Sequence, residues 1–369
     1  MTAVIGFSFN NQPILIGDLL LSGPEIIDRD VNIPSIGDPS LVFPKGSGYS
    51  ITGVDQKLYL IDDNLAVGWA GRRITAKSVL SELQKKNRET AFELGSLVEY
   101  FKRIDSPALR QELCLAGFIK DRNGVAAVSY NSKVVSSSKF GRIMLLGTGS
   151  EDLLRQLEQI LEQEVKVNRT LNFLEVAICL ALQLSGVMLQ HELISSESIL
   201  NYYGGGYEII SLVGGRFVKI EDITSLYWAI EIKGTEITMS LPQLAFKFSY
   251  TNGSLIIRRA QLEPSIENNV VSFDDSAHLI SSDLDNPKIK NLAGFSPPDF
   301  NSRYLCNYFL VKHAKRGIET LTRIDYTQNA AGPIRFVDSH SKLELYISKL
   351  FVDEIIESIK KRFSKSAIT

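Results

Sequence analysis

The stretch MTAVIGFSFNNQPILIGD, residues 1–18, decides how the rest of the chain is interpreted. It predicts two strands joined by a turn at Asn10 and Asn11, because asparagine tolerates the positive φ angles that a tight hairpin requires. Facing residues of such a hairpin have numbers that add to about 20–22, which places Thr2 beside Asp18 to within one residue. We expect Met1 to be removed, since a small residue follows it, and Thr2 then to carry a free α-amine. An α-amine has a pKa of about 7.7–8.0 and can take the proton of the threonine hydroxyl.

Composition limits the functions that this chain can have. The 369 residues are 44% hydrophobic and 22% charged with a net charge of −2, which is typical of a globular protein and disfavours nucleic acid as a partner. The three cysteines are far apart and odd in number, and the four histidines do not form a ligand spacing. We therefore expect a reducing, cytoplasmic location, no metal and no cofactor. No signal peptide is visible, and the apolar stretch 173–189 contains Glu175 and Gln183, so it predicts a buried helix rather than a membrane span.

Beyond Asp18 the chain alternates between paired strands and paired helices. Prolines and glycines predict a long loop over 24–53, and the spacing of apolar residues predicts helices over 75–104, 150–164 and 171–193. This order predicts an α+β fold in which helix pairs cover two stacked antiparallel sheets, a four-layer αββα sandwich. Its further strands are predicted at 57–61, 64–69, 113–119, 125–130, 142–146, 207–213 and 217–220.

Four local motifs, in this order, resemble the proteasome β-subunit family and its bacterial relatives over about residues 2–230. They are TAVIGF from Thr2 with Asp18 sixteen residues later, Lys57 at a strand pair that ends at Gly71, GTGS at 147–150, and YGGG at 203–206. The resemblance implies a threonine hydrolase of the N-terminal-nucleophile type that cleaves peptide bonds, and assembly into a ring or another homo-oligomer.

The resemblance also implies roles for single residues. Thr2 would be the nucleophile, Lys57 would stabilise the developing negative charge, and Asp18 would hold Lys57 in place. The amide of Gly71 would donate to the oxyanion of the tetrahedral intermediate. The alternatives are a structural Asp18–Lys57 ion pair and, for Gly71, a glycine needed only at a strand end.

The groups around this trio depart from the family pattern. Thr148 keeps the hydroxyl of the family's Gly-Ser-Gly motif, but Asn201 stands where the family has a second aspartate and Gly204 where it has a serine. Glu197 or Ser198 are alternatives to that aspartate. At the positions after Gly71, where the family has small residues, the chain carries a pair of arginines, which either favour acidic substrates or are solvated surface groups. The insertion over 24–53 lies where the family lines its substrate site.

Residues 231–369 fall outside the resemblance and are predicted to form a smaller C-terminal α+β appendage to a domain of residues 1–230. Strands are predicted over 231–250, 254–259 and 304–312, a loop over 262–303, and an amphipathic helix over 343–363. The favoured function is a threonine peptidase that acts on a peptide or protein substrate, with no membrane partner. The alternatives are a catalytically inactive, proteasome-like scaffold and an amidase that acts on a small molecule.

Overall fold

The computed structural model describes most of the chain. Met1, His340 and the polar stretch 282–296 are among the residues outside the described ranges. The described residues are 2–24, 31–43, 46, 48–161, 163, 165–265, 269–281, 297–313, 317–326, 332–339 and 342–364.

The described part of the chain is a mixed α/β structure in which strands outnumber helices. Its helices are α1 (Arg73–Glu89), α2 (Leu94–Ile104), α3 (Pro107–Glu112), α4 (Ser150–Ile160), α5 (Phe173–Ser195), α6 (Glu197–Leu200) and α7 (Lys349–Ser364), with a 3₁₀ turn at Pro39–Leu41. Its strands are β1 (Val4–Phe9), β2 (Gln12–Asp18), β3 (Leu20–Pro24), β4 (Tyr49–Val54), β5 (Leu58–Asp62), β6 (Leu65–Gly71), β7 (Leu113–Asp121), β8 (Gly124–Tyr130), β9 (Lys133–Ser137), β10 (Gly141–Leu146), β11 (Val165–Val167), β12 (Tyr207–Val213), β13 (Arg216–Lys219), β14 (Ile223–Lys233), β15 (Glu236–Met239), β16 (Leu244–Thr251), β17 (Ser254–Pro264), β18 (Asn269–Ile280), β19 (Tyr304–His313), β20 (Gly317–Tyr326), β21 (Ile334–Ser339) and β22 (Lys342–Ile347).

The N-terminal hairpin lies at the centre of a six-stranded sheet with the order β13-β12-β2-β1-β10-β9. Val4 pairs with Gly17, so the predicted hairpin register is confirmed. Asn10 and Asn11 at the turn have φ angles of 50° and 62°, which match the twist of the flanking strands.

A second sheet, with the order β5-β6-β7-β8, packs on one face of the six-stranded sheet. Helices α1 and α2 cover its outer face, where Trp69 is fully buried among their apolar side chains. The side chains buried between the two sheets include Val4, Leu15, Leu58, Ala66, Ala116, Phe118, Met144 and Phe217.

Helices α4 and α5 lie on the other face of the six-stranded sheet, and a ten-stranded sheet then covers α5 from the far side. The ten-stranded sheet has the order β11-β20-β19-β14-β16-β17-β18-β22-β21, with β15 beside β14, and α7 covers its outer face. Helix α5 therefore buries apolar side chains against both the six-stranded and the ten-stranded sheet, and the four-layer sandwich stays a prediction. The predicted boundary at residue 230 falls inside β14, and the ten-stranded sheet also includes β11 (Val165–Val167), well before that boundary. The division into two domains stays a prediction.

Helix α5 is apolar around its whole circumference because a sheet covers it on each side. By length and composition it is the one helix of the described residues that could cross a membrane, yet 72% of its most apolar window is buried inside the protein. A core helix between two sheets has this composition for the same reason as a membrane span, since both lack a polar surrounding.

Several predicted elements differ from the structure. Part of the predicted loop 262–303 is the strand β18, and the first five residues of the predicted helix 343–363 belong to β22. In β22 the buried residues Leu343, Leu345 and Ile347 alternate with a period of two, which is the spacing of a strand. The helix pair predicted within 75–104 corresponds to α1 and α2, whereas the described part of the predicted loop 24–53 includes β4, which pairs with β3.

Gly186→Ala is expected to destabilise the protein by about 1–3 kcal/mol, as overpacking of a core does. Gly186 lies in α5, and a Cβ atom there would overlap the ring of Tyr308. That ring cannot move away easily, because it stacks on Tyr227 and its hydroxyl donates to the carbonyl of Leu182 at 2.7 Å. Urea denaturation measures the loss.

The matched control for this substitution is Gly95→Ala, an exposed glycine in α2 where a Cβ meets nothing within 4 Å. Alanine there is expected to stabilise the protein by about 0.4–1 kcal/mol. Equal stabilities of the two alanine variants would contradict the close approach of α5 to the ten-stranded sheet.

Candidate functional site

Asp18 ends strand β2 and is fully buried, so its carboxylate needs partners inside the protein. One oxygen, Oδ1, accepts from the amide of Ala3 at 2.9 Å, and the other accepts from the amides of Leu20 at 3.3 Å and Gly204 at 3.0 Å. The amide of Asp18 in turn donates to the carbonyl of Ala3 at 3.0 Å. Asp18 therefore holds the first residues of β1 in a fixed position.

Lys57 precedes strand β5 and is also fully buried. Its ammonium forms an ion pair with Asp18, with 2.7 Å between Nζ and Oδ1. Burial lowers the pKa of Lys57, while the charge of Asp18 and its hydrogen bond oppose that shift. Because Ala3 N and Lys57 Nζ both bond Oδ1, they lie within about 6 Å of each other.

Thr2 is 3% exposed and lies at the entrance to β1. Its carbonyl accepts from the amide of Gly149 at 3.1 Å. Gly147 comes so close that a Cβ there would overlap this carbonyl, and it would lie 2.9 Å from the Cβ of Thr2. The loop between β10 and α4 thus fixes Thr2. The structure brings Lys57 to Asp18, and it brings Asp18 to Ala3, the residue that follows Thr2.

Gly71 ends strand β6 with a φ of 115°. A side chain there would overlap the carbonyl of Glu112, and the amide of the next residue, Arg72, donates to that carbonyl at 2.6 Å. The close approach of the two backbones is by itself a sufficient reason for a glycine. Its role as an oxyanion donor stays a prediction.

Most of the other predicted groups lie at the surface or in ion pairs, whereas Ser198 is buried. Thr148 and Asn201 are exposed, and so is Glu197. Arg72, whose side chain is exposed, pairs with the half-buried Glu112 at 2.8 Å. Arg73 bonds Asp55 instead, and Asp55 also pairs with Lys77 at 3.1 Å.

The residue that sequence reasoning missed is Glu192, on α5. It is 1% exposed, and its carboxylate accepts from the amide of Gly205 at 2.9 and 3.1 Å, from Ser35, and from Ser198 at 3.5 Å. Burial raises its pKa to about 7, and the negative charge of Asp18 contributes to the rise. The available signal was a carboxylate near the end of an otherwise apolar helix, since such a group is seldom buried without a specific partner.

Gly204 and Gly205 join the two buried carboxylates. The amide of Gly204 donates to Asp18 and the next amide donates to Glu192. Gly204 has a φ of 121°, and a Cβ there would overlap the carboxylate of Glu192. The glycines of the YGGG motif therefore allow the backbone to pass between the carboxylates of Asp18 and Glu192.

Chemically, this arrangement supplies a buried ammonium near the backbone that follows Thr2 and, in Glu192, a buried carboxyl whose pKa is raised by burial. Among the residues that the structure describes, no group of three or more His, Cys, Asp or Glu side chains is arranged to hold a metal ion. All three cysteines are free, with Cys179 and Cys306 buried.

Comparison with known proteins found no matching family model and no matching curated protein. Among solved structures, the chain is similar to eukaryotic HslV from Trypanosoma brucei, with a TM-score of 0.34 and 15% sequence identity. The matched region covers 57% of this chain and 98% of that chain. A likeness this distant says nothing about the chemistry of the site.

Proposed function

We propose that this chain is an N-terminal-nucleophile threonine hydrolase whose nucleophile is Thr2 Oγ1, once the peptide bond before Thr2 has been cleaved. The single observation that carries the proposal is the buried Lys57–Asp18 pair, which is bonded through Oδ1 to the residue that follows Thr2. A buried ion pair contributes little net stability, so its place at a prospective chain end favours a chemical role.

In the proposed reaction, the α-amine of Thr2 takes the hydroxyl proton while Oγ1 attacks the carbonyl carbon of the substrate. Lys57 stabilises the negative charge that develops, and Asp18 fixes Lys57. The amide of Gly71 is the proposed donor to the substrate oxygen. The scissile bond breaks as the leaving amine takes a proton, and water then hydrolyses the acyl ester and restores Thr2.

We propose a peptide or protein as the substrate, and a homo-oligomer in the cytoplasm as the working form, with no cofactor. These proposals follow from the sequence resemblance rather than from a contact in the site. An amidase that acts on a small molecule uses the same groups, because the fold alone does not determine the substrate.

The second candidate is a catalytically inactive scaffold. Exposure of Thr148 and Asn201, which the resemblance places near the nucleophile, favours this candidate. The buried ion pair would then be purely structural and would connect β2 to β5.

Intact mass before and after treatment with a β-lactone, an electrophile that acylates hydroxyl nucleophiles, tests the proposal. We expect a chain that starts at Thr2 to gain one acyl group, and Thr2→Ala to gain none. Thr148→Ala is the matched control and keeps the adduct. A wild-type chain that starts at Thr2 and takes no acyl group would reject the hydrolase in favour of the scaffold.

A further inference from the structure

We infer that the ten-stranded sheet fixes the position of Lys57 through the side chains of Gln56 and Glu208, which are thereby positioning residues of the site. The C-terminal part of the chain then has the role of holding Lys57 in position. The effect of this role on catalysis rests on the proposed function.

The backbone around Lys57 is held by side chains from other parts of the fold. Asp55, Gln56 and Lys57 connect β4 to β5 and are 3%, 0% and 0% exposed. The amides of Lys57 and Leu58 both donate to Glu208 Oε2, at 2.9 and 3.3 Å. Removing or shifting Glu208 would therefore move the backbone that carries the lysine.

Gln56 is the first connection to the ten-stranded sheet. Its Nε2 donates to the carbonyl of Gly253 at 3.0 Å and to the carbonyl of Ile280 at 2.8 Å. Gly253 lies in the turn between β16 and β17, and Ile280 ends β18. An amide nitrogen has two hydrogens, so both are used on the ten-stranded sheet, and Oε1 accepts from Lys219 on β13.

Glu208 is the second connection. Its carboxylate is 1% exposed, and Oε1 accepts from the hydroxyl of Tyr250 at 3.1 Å and from Lys219 Nζ at 2.5 Å. Tyr250 belongs to β16 of the ten-stranded sheet, whereas Glu208 belongs to β12 of the six-stranded sheet. The network therefore joins the two sheets at the point where Lys57 enters the site.

The charges of this network also favour the position of Lys57. Glu208 and Asp55 both stabilise its ammonium, although Asp18 is the carboxylate in direct contact. Lys219 is partly buried, with 13% of its side chain exposed, and burial lowers its pKa while Glu208 opposes that change. A shift of the ten-stranded sheet would disturb a set of buried charges that compensate one another, so the sheet and Lys57 are expected to move together.

The test compares Gln56→Ala and Tyr250→Phe in the full-length protein. Hydrogen exchange of peptides that cover residues 55–60 measures whether the Lys57 backbone is released, and the rate of β-lactone acylation as a function of pH measures the consequence at Thr2. Tyr346→Phe is the matched control, because it removes a hydroxyl from β22 of the same sheet, where the side chain is 40% exposed.

We expect exchange over residues 55–60 to accelerate at least about tenfold in Gln56→Ala and about 3- to 10-fold in Tyr250→Phe, and to stay unchanged in Tyr346→Phe. We expect acylation to slow and its apparent pKa to rise toward the ordinary value of an α-amine. The reason is that the Lys57 ammonium, once displaced, no longer favours the neutral form of the Thr2 α-amine. A purely structural role would slow acylation without moving that pKa.

Unchanged exchange in both variants would overturn the inference. A slower reaction at constant apparent pKa would also overturn the positioning role. If wild-type protein takes no acyl group, the proposed function fails, and the exchange data alone then support or reject the hold of the sheet on Lys57.

Discussion

Asp18→Ala is expected to cost about 3–5 kcal/mol of stability, because it leaves the buried ammonium of Lys57 without the carboxylate in contact with it. The substitution also removes the acceptor of the Ala3, Leu20 and Gly204 amides. Guanidinium denaturation at several pH values measures the loss. The loss should shrink as the pH rises toward 10.5, since burial already lowers the pKa of Lys57 and the neutral amine needs no counter-ion.

The double variant Asp18→Ala with Lys57→Met is the control for this prediction. It removes both charges, so we expect it to be more stable than Asp18→Ala alone. Lys57→Met by itself is expected to cost less than Asp18→Ala, because the carboxylate of Asp18 keeps its three amide donors. A double variant less stable than Asp18→Ala at neutral pH would show that packing, rather than the unpaired charge, dominates the loss.

Glu192→Gln is expected to change how stability depends on pH. Burial raises the pKa of Glu192 from 4.5 to about 7, so the folded state favours the protonated acid. The stability that Glu192 contributes is therefore complete below about pH 4.5 and is lost as the pH rises through about 7. The difference between the two pKa values corresponds to about 3 kcal/mol.

Since glutamine does not titrate, we expect the stability of Glu192→Gln relative to wild type to improve by about 3 kcal/mol between pH 4.5 and pH 8.5. Chemical denaturation at a series of pH values measures this difference. Glu197→Gln, at an exposed position of the next helix, is the control for replacing a glutamate by a glutamine. Parallel stability curves for wild type and Glu192→Gln would contradict a buried acid that ionises near neutral pH.

Short-range features of the fold could be predicted from the sequence. The register of β1 and β2 follows from the turn at Asn10 and Asn11, because a tight turn fixes which residues face each other. That register is enough to place Asp18 at the entrance to β1. The alternation in β22 is also visible in the sequence, but the apolar residues of α7 follow it directly, and the two segments together predict a single helix.

The role of helix α5 illustrates what a sequence pattern leaves open. An apolar helix needs covering on both sides, yet nothing in residues 173–195 states that the second cover is a ten-stranded sheet. Several pairings in that sheet, such as β11 with β20 and β14 with β19, join strands far apart along the chain, and local spacing does not encode these contacts. For this reason the sequence predicts only a smaller appendage after residue 230.

The sequence by itself determined the hairpin and the residue types of the site, Thr2, Asp18 and Lys57, because a turn and a strand period act over a few residues. Only the tertiary structure decided that Asp18 and Lys57 form a buried pair, that Glu192 lies behind Gly204, and that Gln56 connects Lys57 to the ten-stranded sheet. The physical reason is that side chains distant in sequence determine how deeply a charged group is buried and which partners it has. Burial and partners in turn determine the protonation of the group and its position.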